Sequence, residues 1–336
     1  MIENRKAGIV LDIRQIYPSI YQVQLPLRGN PLKELNCYIV KGSKRNLVID
    51  TAFNQEEAKN ILLEALGQLN CPLEKTDSFL THCHADHAGL LYAIKTKDNR
   101  CYTSEVDGEI VNAAHRPGYR NEGMAVSGPR MGFLQSASEL AAAHPASSNR
   151  CPQAIDFTYV KEGDRIDLGG FVFEVVDLSG HSPGQVGLYE PDKQLLFVGD
   201  HILGKITPNI TYWNDDFDAL GVYLANLRKV RAMDVQHMYG AHRFNVESHV
   251  ERVDQLLAHH DRRLEEVRGL LRAGKQTAFE VAAGMHWDFG GGDFLNFPLT
   301  QQWFAAGEAL SHLEYLRHNG QAVRAKKGPL LLYRLA

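Results

Sequence analysis

The sequence predicts an α/β protein followed by a small helical module, and three observations carry that expectation. Strand and helix signals alternate through roughly the first 250 residues. A histidine-rich run stands at the end of one strand signal. Beyond residue 250 the strands give way to three helices and a hairpin. A chain of 336 residues is longer than one core usually needs, which divides it into residues 1–250 and 251–336.

Residues 36–40 and 47–50 are apolar, β-branched runs separated by Lys41-Gly42-Ser43-Lys44, the pattern of a hairpin. A helix follows, with Asn54 as its expected cap and Ala58, Ile61, Leu62, Ala65, Leu66 and Leu69 at helical spacing. Residues 78–81 form a short buried strand. From 105 to 156 the periodicity weakens while Gly, Pro, Ser and Ala accumulate; so long a connection is expected to be a lid or binding loop. Tyr119, Met124, Met131, Phe133 and Leu134 give it apolar character, and Tyr119, Met131 or Phe133 is expected to line a pocket. Strand signals return at 164–168, 171–178, 195–198 and 235–239, with a helix over 217–230. Residues 253–272, 277–285 and 300–318 are helical, and 320–336 form a hairpin turning at Lys326-Lys327-Gly328, the order of a winged-helix module.

Composition excludes several classes. With 44% hydrophobic and 23% charged residues the chain is an ordinary globular protein. A net charge of −4 argues against a general binder of nucleic acid or anionic membrane. Residues 251–336 carry 11 Lys/Arg against 10 Asp/Glu, far from the basic footprint of a duplex binder, so the module is read as a packing or homodimer element or a wall of the substrate pocket. No apolar run is long enough to span a membrane. Residues 1–12 lack the apolar core of a signal peptide, and five cysteines without a CxxC pair read as reduced thiols; a cytoplasmic protein is expected.

The chemistry concentrates in Thr81-His82-Cys83-His84-Ala85-Asp86-His87-Ala88-Gly89. The one-residue gap between His82 and His84 lets both rings enter one pocket from extended backbone, while Asp86 and His87 reach a neighbouring point as a helix begins. Imidazole and carboxylate donors suit zinc, and also iron or manganese. By side-chain alternation Cys83 points away from the pocket.

His82-Cys83-His84-Ala85-Asp86-His87 resembles the HxHxDH signature of metallo-β-lactamase-fold hydrolases. Asp50 at a strand end, Gly180-His181-Ser182-Pro183-Gly184, Gly199-Asp200-His201 and Tyr239-Gly240-Ala241-His242 stand in that family's order. The resemblance covers about residues 15–250. It implies a four-layer αβ/βα sandwich with two sheets between helices. It also implies two divalent metal ions: His82, His84 and His181 hold the first, Asp86, His87 and His242 the second, and Asp200 bridges both. Asp50 would orient a ligand rather than bind metal. The last motif departs from the family's usual Pro-Gly-His-Gly, which leaves Arg243 either a contact for an anionic substrate or a solvated side chain; His201 is equally open.

Two ions about 3.5–4 Å apart share a water and lower its pKa, so the resemblance implies a hydrolase in which metal-bound hydroxide attacks a small ester, thioester or lactone. Asp86 or Asp200 would handle its proton. The C-terminal segment, with His260-Asp261-Arg262-Arg263 and His312-Leu313, is similar to the lactonase/β-lactamase-like-protein-2 group, which includes an endoribonuclease branch. An endoribonuclease or other phosphodiesterase on the same ions is therefore the alternative, and an iron-dependent oxidoreductase a third.

Overall fold

The computed structural model describes residues 11–243, 246–274, 276–289 and 293–336. Residues 1–10, on which most of the signal-peptide argument rests, lie outside these.

Seven strands form the first sheet in sequence order: β1 (Ile13–Tyr17), β2 (Ile20–Pro26), β3 (Glu34–Lys41), β4 (Asn46–Ile49), β5 (Thr76–Phe79), β6 (Cys101–Thr103) and β7 (Thr158–Tyr159). The pairs from β1 to β4 are antiparallel and those from β4 to β7 parallel. The second sheet contains β8 (Arg165–Asp167), β9 (Val172–Asp177), β10 (Val186–Glu190), β11 (Leu195–Gly199) and β12 (His237–Gly240), ordered β12-β11-β10-β9-β8, with β11 and β12 parallel. A final hairpin pairs β13 (Ala322–Lys327) with β14 (Leu330–Leu335).

The period-two alternation of the strands assigns each sheet two cores. On β3 and β4, Tyr38, Val40, Leu47 and Ile49 face Phe173, Val175, Leu188 and Phe197 of the second sheet. The intervening Leu35, Cys37, Ile39 and Val48 pack outward on Ala58, Leu62 and Ala65 of α1 (Glu56–Gln68). On β11, Leu195 and Phe197 point between the sheets, whereas Leu196 and Val198 pack on Leu220, Leu224 and Leu227 of α8 (Ala219–Arg231). Helix, sheet, sheet, helix are the four layers. Both faces of each sheet are covered, so its central strands are apolar almost throughout.

Along the first half, α2 (Ala85–Ala88) and α3 (Leu91–Ile94) follow β5, and α4 (Glu105–Ala114) follows β6. Then come α5 (Tyr119–Met131), α6 (Ala137–Ala143) and α7 (Ala146–Asn149). The 105–156 segment is thus mainly four helices, not a loop. Its caps supply the local reason: Ser104 accepts from Asp107 N, and Ser136 with Glu139 forms a capping box. The residues expected over a pocket divide. Met124, Met131 and Phe133 are buried in the core, Phe133 edge-on to Phe279 and tilted against Trp303 of the C-terminal region. Leu134 is exposed and Tyr119 half-buried. Burying a large ring among other rings removes more apolar surface from water than laying it over a polar site would.

The C-terminal region contains α9 (His249–Arg272), α10 (Ala278–Gly284) and α11 (Leu299–His318). Their buried faces join α8 and the outer side of the second sheet in one continuous core. Arg324 on the hairpin is tied to Glu314 and Asp215. Asn54 does not cap α1: Gln55 takes that position without a side-chain hydrogen bond, and Asn54 accepts from Tyr92 instead. Among the described residues no helix is long and apolar enough to cross a membrane.

Candidate metal centre

The polar side chains singled out above meet at the C-terminal ends of β4, β5, β9, β11 and β12, where open α/β sheets place their ligands. β5 is followed by His82 and His84, and α2 supplies Asp86 and His87. From the other sheet come His181 four residues beyond β9, Asp200 immediately after β11 and His242 two beyond β12. Tight backbone makes this approach possible. Gly199 has φ +53°, and a Cβ there would stand 2.6 Å from Thr81 Oγ1.

Three overlapping groups form, each with ligand atoms within 4.8 Å of one another: His82, His84 and His181; His82, His87 and Asp200; Asp86, His87 and His242. Asp200 stands between them. Its Oδ2 is 3.6 Å from His181 Nε2, and its Oδ1 is 3.6 Å from His87 Nε2 and 3.5 Å from His242 Nε2. All seven predicted ligands are therefore brought together.

The imidazoles are aimed by what their other nitrogens do. His181 Nδ1–H donates to Asn209 O at 2.8 Å and His242 Nδ1–H to Glu34 O at 2.9 Å. Thr81 Oγ1 gives its proton to Asp50 Oδ2 at 2.8 Å and so accepts from His82 Nδ1 at 3.0 Å. Asp50 Oδ2 also takes His87 Nδ1–H at 2.8 Å. In each case Nε2 is left facing the centre. Among the described residues Asp50 reaches the cluster through Thr81 and His87.

These donors fit divalent cations. His84 Nδ1 lies 3.0 Å from both His82 Nε2 and His181 Nε2, three ring nitrogens aimed at one another. His87 Nε2, His242 Nε2 and Asp200 Oδ1 are buried without a hydrogen-bond partner, a costly arrangement unless something else binds them. Separations of 3.5–3.6 Å are long for hydrogen bonds. They suit two ligands on one ion, since donors about 2.0–2.1 Å from a tetrahedral metal stand about 3.4 Å apart.

Electrostatics agrees. Burial, then the neighbouring imidazoles, holds His82 well below the usual histidine range, and burial followed by His181 pushes His84 down to about 3. Burial likewise lowers His181. For Asp86 burial acts upward, but His242 and His87 outweigh it and bring the carboxyl down to about 2; Asp200 falls below the ordinary carboxylate range in the same way. His87 and His242 move up, because burial is outweighed by Asp50 and Asp200 for the first and by Asp200 and Asp86 for the second. Low-lying carboxyls and imidazoles held neutral are the donor states that metal binding requires.

Several contributing residues were not singled out in the sequence. Asp107, fully buried on α4, accepts from Cys83 N at 2.9 Å, Ser182 Oγ at 2.5 Å and Gly184 N at 2.8 Å, so it ties the two ligand-bearing loops together. Burial raises its carboxyl to about 6 against those hydrogen bonds. Its signal was the Ser104 cap, which fixes α4 but does not disclose what the helix buries. Trp213 stacks on His84 at 6.1 Å between centroids and donates to His181 O at 3.3 Å. Of the residues left open, His201 is buried against Tyr223 behind the cluster. Arg243 donates to Pro31 O at 2.9 Å. Cys83 packs beside Leu80 and Cys101, its thiol pushed up by burial and by Asp107.

Residues 33–242 match the family model described as the Metallo-beta-lactamase superfamily. An atrochrysone carboxyl ACP thioesterase of Aspergillus aculeatus is 26% identical over 234 residues, 69% of this chain and 58% of that protein. A beta-lactamase-like protein 2 homolog of Caenorhabditis elegans is 23% identical over 76% of this chain and 72% of its own length. The acyl-coenzyme A thioesterase MBLAC2 of Bos taurus is 27% identical over 49% of this chain and 57% of that protein. The matches thus span less than two thirds of the Aspergillus and bovine relatives. A crystal structure of a metallo-beta-lactamase family protein from Thermus thermophilus shares the fold, with TM-score 0.79 and 24% identity over 96% of this chain and all of that one.

Proposed function

Because the chain belongs to the metallo-beta-lactamase superfamily, we propose that it is a metal-dependent hydrolase with a dinuclear centre. Within the class of small esters, thioesters and lactones, its substrate is a thioester. The convergence of seven donors from two sheets supports the centre, and the thioesterases among the relatives support the substrate class.

His82, His84 and His181 would hold one ion, Asp86, His87 and His242 the other, and Asp200 would serve both. Zinc suits these donors; iron and manganese are accepted by the same set. Bound ions would lower the pKa of a shared water towards neutrality and polarise the carbonyl oxygen under attack. The chain itself supplies orientation and proton handling. Asp50, Thr81, Asn209 and Glu34 hold the rings in place. The Asp86 or Asp200 carboxylate takes the proton of the attacking water and returns it to the leaving thiolate. Trp213 covers His84 and helps exclude bulk solvent.

Metal analysis of the purified protein followed by a panel of thioesters, esters, lactones and phosphodiesters tests this. About two ions per chain and preferential thioester turnover are expected. At most one ion at saturation removes the dinuclear assignment, and turnover of phosphodiesters alone replaces the thioesterase reading with the endoribonuclease one.

A further inference from the structure

Beside the metal centre lies a concentration of charge that hydrolysis as described leaves unused. A cleft of about 280 Å³ runs among α4 to α7, lined by Arg116, Arg120 and Arg150 together with Asn121, Ser138 and Ser147. Its other lining residues are alanine and glycine; among the described residues no carboxylate lines it. Arg116 is exposed, donates to Ala113 O at 3.3 Å and lies over the Tyr119 ring at 5.5 Å. Arg150 donates to Ser147 O. Arg120 is half-buried, and the charged or polar groups acting on it are Tyr119, Cys83 and the like-charged Arg150. Among the described residues none of the three guanidiniums has a carboxylate partner.

Surface arginines usually sit near acidic residues or project into water. Three turned towards one concavity without an acid repel each other, and partial burial weakens the solvent screening that would relieve this. An anion is the missing partner. Planar guanidinium forks match tetrahedral oxyanions in pairs of parallel hydrogen bonds, and the serine hydroxyls and Asn121 amide offer further donors. A charge of three favours a phosphate-like group over a single carboxylate.

One wall of the cleft is packed on the helix that carries two of the proposed ligands. That wall, α7, directly precedes Arg150 and packs on α2, the helix of Asp86 and His87. Asn149 on α7 accepts through its carbonyl from Asn54 N at 3.0 Å.

We propose that this arginine cleft is a subsite for a phosphate group carried by the substrate away from its scissile carbonyl, so that the thiol side of the thioester bears phosphate. The proposal rests on the thioesterase reading for its catalytic meaning, but the cleft can be tested alone. Inorganic phosphate is titrated calorimetrically into the metal-replete full chain and into Arg116→Gln/Arg150→Gln. The double variant is expected to bind at least tenfold more weakly, with a shallower salt dependence. Equal binding by both proteins, as when phosphate sits only on the metals, overturns the subsite. Because Arg116 is exposed, Arg116→Gln alone serves if the double variant fails to fold, with a several-fold loss expected.

The second measurement is the ratio of kcat/KM for a coenzyme A thioester to that for the same acyl group on uncharged N-acetylcysteamine. The wild type is expected to favour the former at least tenfold, and the double variant to lose most of that preference. A ratio unchanged by the substitutions overturns the proposal, as does equal preference for a glutathione thioester, which offers carboxylates in place of phosphates. Arginine-dependent phosphate binding without turnover of any thioester supports the cleft and removes the thioesterase reading. Turnover of the uncharged thioester with indifferent arginines removes the cleft alone.

Discussion

Asp107 receives the backbone N–H of Cys83 at 2.9 Å, across 24 residues of chain and from a helix that provides none of the proposed ligands. Because the same carboxylate holds Ser182 and Gly184, it sets the spacing between the loop of His82 and His84 and the loop of His181. Asp107→Ala is therefore expected to weaken metal retention and lower kcat/KM by about 10–100-fold, the range seen when groups behind a ligand are removed. Asp107→Asn keeps one acceptor oxygen and should recover part of the loss. Metal titration of both variants checks this, and wild-type retention in Asp107→Ala would contradict it.

Asp200 presents different oxygens to His181 and to the pair His87 and His242. Asp200→Ala is expected to abolish turnover and to weaken both ions together, bringing the metal content from about two per chain to one or fewer. Elemental analysis after dialysis reads this directly. Unchanged affinity at both positions would exclude the shared role.

A pH dependence follows from the C-terminal histidine pair. His312 donates from Nδ1 to Glu308 O at 2.8 Å, so its Nε2 accepts from His260 Nδ1 at 3.2 Å. Burial holds His312 down to about 3, and burial with the neighbouring His312 keeps His260 well below its ordinary value. Since both folded values lie under the unfolded value near 6.5, the unfolded chain binds more protons as pH falls. The contribution of His312 is complete above about pH 6.5 and is lost as pH descends towards 3, by about 1.4 kcal/mol per pH unit, and His260 acts in the same direction. Denaturant midpoints from pH 7 to 4.5 should show a shallower slope in His312→Gln than in the wild type, by close to one proton.

Phe133 separates a core role from a lid role. Its ring sits 5.2 Å from that of Phe279 and 5.5 Å from that of Trp303. Phe133→Ala should cost about 3–5 kcal/mol of stability while leaving KM near its wild-type value. A large change in KM with little loss of stability would restore the residue to the substrate pocket. Chemical denaturation alongside steady-state kinetics distinguishes the two.

What could be read in the sequence was whatever one element announces by itself. The hairpin of β3 and β4, the buried strand β11 and the long C-terminal helices follow local periodicity. The ligands follow an ordered set of short motifs, each at a strand end. Asp107 was hidden because its role depends on three partners far along the chain. The helices α5 and α6 were hidden because Gly123, Gly128 and Pro129 interrupt the pattern, while capping and packing against Trp303 overrule weak propensity. The arginines of the cleft are spread over residues 116–150 and acquire a common meaning only once α5 packs on α4 and α6, and α7 on α6 and α2.

The division of the donors between the sheets has a thermodynamic consequence. His82, His84, Asp86 and His87 belong to the half built on the first sheet, and His181, Asp200 and His242 to the half built on the second. A cation bound by both halves is a rivet across their seam, since its full coordination exists only while the two are apposed. Binding free energy is then folding free energy, growing as RT ln(1 + [L]/Kd) with the free ion concentration. Removing the ions should loosen the molecule along that seam first. Amide exchange would rise in the loops after β5, β9, β11 and β12 while the outer core beneath α8 stays protected.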